Sequence, residues 1–473
     1  MEKNRFTFKV AYANDIAALI PEWWALEAIN TLNEVLVMAP LVNRNYEQAF
    51  AQAGDIVHVN KAGTFSANNK VEGSAVTTQD LDATDTAVRL DQHKESTFSV
   101  SDVEIQQAPQ NLFEYGLKPA IYSIAKAIDD ALIGQIGLFV GNSAGSVDTT
   151  IDDAAVREVN RVMTANNNPT GDRTLVVGPN AESDLLGITR FTEANVTGLD
   201  KGVQLNGLIG QAMGFEVLQS QNISDARTLG TPTVAEAIGA AIEAKGQTTL
   251  TVASWTANST AGEWLTIAGV PGMYQLTADA SATDTTVTVF PALRGAAAAA
   301  AVITVVRSAG LAKGAHAQNA KHTAITVITD GYAAADDVPL AGDYLSFGAV
   351  ADGTDVYMVT GISGTWASSA TEMTLSLNRP IDTTIADNDE VNVLPQNAGM
   401  NFGFRPNALT LVNRPLAEVR EGTGATSIEV NDGAISLRIT VSYNASTMAY
   451  QVTVDTLLGV QVLDLAKGAV LLG

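Results

Sequence analysis

The segment Gly141-Asn142-Ser143-Ala144-Gly145 has the Gly-x-Ser-x-Gly spacing of a nucleophile elbow, in which glycines let a strand turn sharply and present a serine hydroxyl. Acyl transfer through Ser143 needs a histidine base, and the chain offers only His58, His93, His316 and His322. His316 and His322 stand in a polar segment, and the run before Ser143 reads as helix rather than buried strand. Ser143 is therefore expected in a flexible loop with no catalytic role. Asp387, Asp389 and Glu390, or Asp336 and Asp337, have the oxygen chemistry of a hard-cation site but not the spacing of a calcium loop, so solvated turns are expected there. Gly207 to Gly214 is glycine-rich without dinucleotide-binding spacing, and no phosphate-binding loop occurs. No cysteine is present, which excludes disulfides and cysteine zinc sites. No catalytic, cofactor-binding or metal-binding residue is expected, and no cofactor.

The elements around these residues are those of a multi-domain globular chain. Its 473 residues exceed what one core usually serves, and 46% hydrophobic against 16% charged residues is a folding composition. The formal charge of −24 repels phosphate, so tight sequence-specific nucleic-acid binding is disfavoured, although a container that encloses nucleic acid without gripping it is compatible. The opening residues lack a signal-peptide pattern and no stretch has the apolar length of a membrane span, so a soluble, non-secreted protein is expected.

Pro21 and Glu22 begin an amphipathic helix carrying Leu26, Ile29, Leu32 and Leu36, which ends before Pro40. Trp23 and Trp24 at its head read either as core or as an arm that packs on a neighbouring subunit. Ile56 to Asn60 and a run around Val88 and Leu90 predict a long two-stranded excursion, which buries little against its own chain and calls for a neighbour. Ile121, Ala125, Ile128 and Leu132 draw one apolar stripe along a spine helix within 111–136. A second helix follows, capped by Thr150, with Val156, Val159 and Met163 inward. Thr174 to Val177, a short helix through Leu185 and Leu186, and Phe215 to Leu218 compose a small α/β unit that resumes at Asn401 with a strand at Asn407 to Val412.

Between Gln247 and Leu394 the texture becomes all-β and repeats itself. Thr249–Val252, Gly262–Ile267, Tyr274–Thr277 and Thr286–Val289 are followed in the same order by Ala324–Val327, Gly342–Phe347, Tyr357–Thr360 and Thr374–Leu377. Asn431-Asp432-Gly433 then signals a hairpin, with Ile428 and Val430 before it and Ile435, Leu437, Ile439 and Val441 after.

The runs PEWWALEAINTLNEVLVMAPLVNRNYE and GDIVHVNKAG, with VVGPNAESDLLG and QAMGFEVLQSQNI, resemble the major capsid proteins of tailed bacteriophages, in the coat-protein branch with an inserted domain. The resemblance covers roughly residues 20–222 and 401–473. It implies an α+β Hong Kong 97-like capsid fold. The expected division is an N-terminal arm over 1–53, an extended loop over 54–100, a peripheral domain over 101–172, and an axial domain over 173–222 and 401–425. Residues 223–400 would be an inserted all-β region of two tandem repeats (about 247–306 and 323–394), and 426–473 the closing strands of the peripheral domain.

Under that resemblance the protein is a non-catalytic shell subunit in hexamers and pentamers, sharing interfaces on the order of 2,000–5,000 Å². Trp23, Trp24, Leu26 and Ile29 in the arm, and Val57, Val59, Val88 and Leu90 in the loop, would make the inter-subunit contacts. The implied partners are a scaffolding protein, a portal, packaged double-stranded DNA without sequence preference and a decoration protein, with no membrane. The implied location is the virion, and the host cytoplasm during assembly. Some capsids of this fold join a lysine to an asparagine between subunits, and Lys61, Lys70 and Lys94 lie near the loop, but a noncovalent shell is expected. The rival reading is a surface adhesin built of tandem β modules.

Overall fold

The structure is a computed structural model. It describes residues 36–46, 56–61, 67–76, 78–79, 84–101, 116–147, 149–189, 210–223, 233–306, 310–317, 322–328, 339–348, 355–364, 372–395, 399–414, 416–419, 425–431 and 435–473. The chain divides into two compact units, one containing 93–127 and 413–457, the other 37–92, 128–412 and 458–473.

The first unit is built on antiparallel strands. Ala425–Asn431 pairs with Ser436–Asn444 with Ile428 opposite Ile439 and Val430 opposite Leu437, as the alternation on either side of Asn431-Asp432-Gly433 requires. Ser436–Asn444 in turn pairs with Ala449–Val462, on which Gln92–Ser101 also pairs. Asp455, buried at 3% exposure, receives Arg438 through Nε at 3.0 Å and His93 through Nε2 at 3.2 Å. Asn413, Ser436 and Thr456 satisfy one another in a buried network of 2.8–3.0 Å bonds. Such mutual satisfaction is what a polar group inside a sheet needs to avoid a desolvation cost.

Helix α1 (Lys118–Ile133) buries Ile121, Ala125, Ile128 and Leu132, the stripe set by spacings of four, three and four. A 3₁₀ segment (Ile136–Asn142) follows after Gly134 and Gln135 and continues the apolar surface, burying Ile136, Phe139 and Val140. Helix α2 (Asp153–Ala165) is capped by Asp152, whose carboxylate accepts from Ala155 N at 2.8 Å. Thr150 is exposed and does not cap it: the carboxylate sits one residue before the helix and is attracted by its positive end. Helix α3 (Pro179–Gly187) has proline in its first turn.

In the second unit, six strands form a mixed sheet in the order 143–145, 468–472, 400–404, 174–177, 215–219, 211–212. Thr174–Val177 pairs parallel to Phe215–Gln219 and antiparallel to Met400–Phe404. The strand that returns to this sheet is thus Met400–Phe404, whereas Leu409–Arg414 joins the sheet of Ala449–Val462. Gly468–Leu472, five buried residues in succession, is sandwiched within the mixed sheet, because a strand apolar on both faces needs cover on both. Val156, Val159, Val162 and Met163 of α2 close one face over Leu175, Val177, Phe215 and Leu471. On the sheet itself, Phe402 stacks against Phe404 and meets Phe139, with centroids 4.7 and 4.8 Å apart.

Between the two halves of that sheet stand two β units with their own cores. Residues 233–306 form a six-stranded sheet in the order 233–237, 302–306, 264–267, 270–276, 286–290, 249–251. Residues 310–393 form a closed barrel in the order 310–312, 390–393, 344–347, 356–363, 372–377, 324–328. Matched element by element, the two orders are identical. Thr233–Ala237 and Gly310–Ala312, which show no clear alternation, supply the first strand of each; the former is an edge strand, whereas the latter pairs on both sides and closes the barrel.

Candidate functional site

The arm residues Trp23, Trp24, Leu26 and Ile29 lie outside the described residues, as do Asp336, Asp337 and Gly207. The loop residues lie within them. Ile56–Lys61 pairs antiparallel with Thr84–Arg89, with Val57 opposite Val88 and Val59 opposite Thr86. Val57 and Val59 are half-buried, but Val88 and Leu90 are fully enclosed by their own chain and root the hairpin instead of presenting a surface. Gly459 lets the backbone close on that root: a Cβ there would stand 2.0 Å from Arg89 O. Lys70 in the intervening stretch donates to Val71 O at 3.0 Å and is exposed.

Beside the root is a cleft of about 430 Å³, lined among others by Arg89, Gln92, Arg379, Asp382 and Gln461. Arg379 lies over the Tyr357 ring at 4.2 Å and pairs with Asp382, which also accepts from Tyr357 Oη at 2.5 Å. Burial pushes the Tyr357 hydroxyl up to about 12, so it donates and does not ionise. Gln92 Oε1 and Arg379 Nε are enclosed without a hydrogen-bond partner.

Ser143 is not in a loop. It opens a short strand, Ser143–Gly145, that pairs parallel to Gly468–Leu472, and Gly145 at φ +83° allows approach where a Cβ would meet Leu472 O at 2.2 Å. The Ser143 hydroxyl is buried with no hydrogen-bond partner, and a Cβ on Gly272 would stand 2.9 Å from it. The histidines are placed elsewhere: His58 pairs with Asp85, His93 with Asp455 and His316 with His322. The nucleophile–base contact that acyl transfer requires is therefore not made. Asp387 and Asp389 accept from the loop amides Gly314 N at 2.7 Å and Ala386 N at 2.6 Å, whereas Glu390 opens the strand 390–393 and accepts from the Thr260 hydroxyl of the first β unit. Among the described residues no group of three or more His, Cys, Asp or Glu could hold a metal ion, and no helix is long and apolar enough to cross a membrane.

What the second unit does build is a set of docking contacts that sequence reasoning missed. Trp264 of the first β unit donates Nε1 to Ser346 of the second at 2.9 Å. Tyr344, at the equivalent position of the second, donates to Ile133 O at the end of α1, also at 2.9 Å. Burial drives its hydroxyl pKa upward, which keeps it a donor. Gly134 and Gly137 admit these neighbours: added Cβ atoms would meet Asn378 Nδ2 at 2.1 Å and Val356 Cγ1 at 2.5 Å. Asp129 of α1 is wholly buried and accepts from Val37 N, Met38 N and Asn222 Nδ2 at 3.2–3.3 Å. Burial raises its carboxyl to about 6.

No family model and no curated protein matches the chain. Solved structures do resemble it over nearly its whole length. A structure from Mycobacterium phage Che8 has a TM-score of 0.45 and 14% identity over 92% of this chain and 90% of its own. The capsid of cyanophage P-SCSP1u gives 0.40 and 10% over 89% and 84%, and the acid-stable capsid of Helicobacter pylori bacteriophage KHP30 gives 0.37 and 10% over 88% and 84%.

Proposed function

We propose that this chain is the major capsid protein of a tailed bacteriophage, a non-catalytic subunit that self-assembles into the icosahedral shell around double-stranded DNA. The sequence phrases at residues 21–63, 176–187 and 211–223 carry the family resemblance. The single observation that supports it most is the make-up of the mixed sheet. Its strands come from residues 143–219 and 400–472, so the two β units interrupt one domain as the resemblance implies. Their identical strand orders support the tandem-repeat reading, and the paired strands at 56–61 and 84–89 support the extended loop.

On this reading, Val57 and Val59 contact a neighbouring subunit, while Val88 and Leu90 fix the hairpin root from which they act. Trp23, Trp24, Leu26 and Ile29 serve as the arm. Scaffolding protein, portal, DNA and a decoration protein are the partners, the shell is noncovalent, and the virion is the location.

The test is electron microscopy of the purified recombinant chain with sedimentation velocity. Closed shells, capsomer rings or tubes are expected. Monomers that persist after addition of scaffold candidates would overturn the reading in favour of an adhesin.

A further inference from the structure

The two β units share a frame, so positions in one can be matched to the other through backbone bonds. In the first, Glu243 and Ala297 exchange bonds of 3.1 and 2.9 Å, and Leu293 N donates to Gln247 O at 2.9 Å. In the second, His316 and Ile385 exchange bonds of 2.8 and 3.0 Å, and Ile381 N donates to His322 O at 2.9 Å. Glu243 thus corresponds to His316, and Gln247 to His322.

The first pair is spent on its own loops. Glu243 Oε1 accepts from Thr251 N at 2.9 Å and Gln247 Oε1 from Ala244 N at 2.8 Å. The second pair turns its side chains on each other: the Nδ1 atoms are 3.2 Å apart, the ring centroids 5.4 Å, and the planes cross at 83°. His316 is half-buried, with Nε2 enclosed and without a partner, whereas His322 is exposed, so the pair is held on one side and open to solvent on the other.

Two imidazole nitrogens each about 2.0–2.1 Å from one ion, and 3.2 Å from each other, subtend about 100° at it, close to the tetrahedral angle. Imidazole donors select zinc, copper and nickel over magnesium and calcium. We propose that His316 and His322 form a two-imidazole site for a divalent transition ion on the second β unit, with water in the remaining positions. Two nitrogens make it a modest site, and it is independent of the shell reading.

The test uses the full chain near neutral pH. Zinc binding is followed by calorimetry, and copper binding by the nitrogen hyperfine pattern in electron paramagnetic resonance. H316Q, H322Q and the double variant are compared, glutamine being the residue the first unit already tolerates at 247. One equivalent of copper with two nitrogen ligands is expected, each single variant weakening zinc by about tenfold or more. Metal-free melting curves should be unchanged, which separates ligand loss from misfolding. Equal zinc affinity in the wild type and the double variant, or an equal response to magnesium, would overturn the site.

Discussion

Asp129→Asn isolates the electrostatics of one buried group. Burial is the leading cause of its raised pKa, from 3.8 to about 6, and the bonds from Val37 N, Met38 N and Asn222 only partly offset it. An acid whose folded pKa exceeds its unfolded value binds protons more tightly when folded. Stability therefore rises as pH falls through about 6 and levels off below the unfolded value near 3.8. The gap of about two units is worth about 3 kcal/mol, and for a group this buried, solvent screening takes little of it away. The amide removes the titration, but it turns a donor toward Val37 N and Asn222 Nδ2, which both address Oδ2, at a cost of about 1–3 kcal/mol. Urea unfolding of both proteins from about pH 8 to about pH 4 gives the comparison, because every other carboxylate is common to both and cancels. The wild type should gain on the variant by about 2 kcal/mol across that range, the rest of the gap appearing only below the unfolded value. A difference that stays level with pH would refute the reasoning.

Trp264→Phe removes the 2.9 Å bond to Ser346 and part of a buried side chain, and should cost about 1–3 kcal/mol. Faster limited proteolysis within 233–306 checks it. Asp152→Ala takes away the cap on α2 and should lower stability by about 1 kcal/mol in the same urea assay, while Thr150→Ala changes nothing measurable. Ser143→Ala deletes a buried hydroxyl that has no partner, so stability should hold or rise by up to about 1 kcal/mol. Particle yield should be unchanged, and loss of any measured hydrolytic activity would show that Ser143 has a catalytic role.

Where the fold rests on periodicity it was legible in the residues. The stripe of Ile121, Ala125, Ile128 and Leu132 and the alternation of Thr249–Thr251 or Glu372–Leu377 record which face is buried, and the structure buries those faces. Where an element exists only because a distant partner completes it, local pattern failed. Ser143–Gly145 is a strand because Val470 to Leu472 lies beside it, and three small residues are too few to carry an alternation that reveals this. Met400–Phe404 and Asn407 to Val412 are both apolar runs, and only the pairing of Phe402 with Val176 shows which of them joins the mixed sheet. The candidate metal pair was hidden for the same reason. His316 and His322 look like two polar-loop residues until the barrel closes and sets their nitrogens 3.2 Å apart.

The position of Gly468–Leu472 within the mixed sheet also governs timing. A ribosome finishes the strand Thr174–Val177 long before it reaches residue 468, and at 5–20 residues per second the interval is on the order of 15–60 s. Each β unit has its full set of strands within that interval, whereas strands 143–145 and 400–404, which flank 468–472 on either side, have no partner between them until it is made. Until 468–472 is made, Phe402 and Ala144 have no strand between them, so the mixed sheet is the last sheet of the second unit to close.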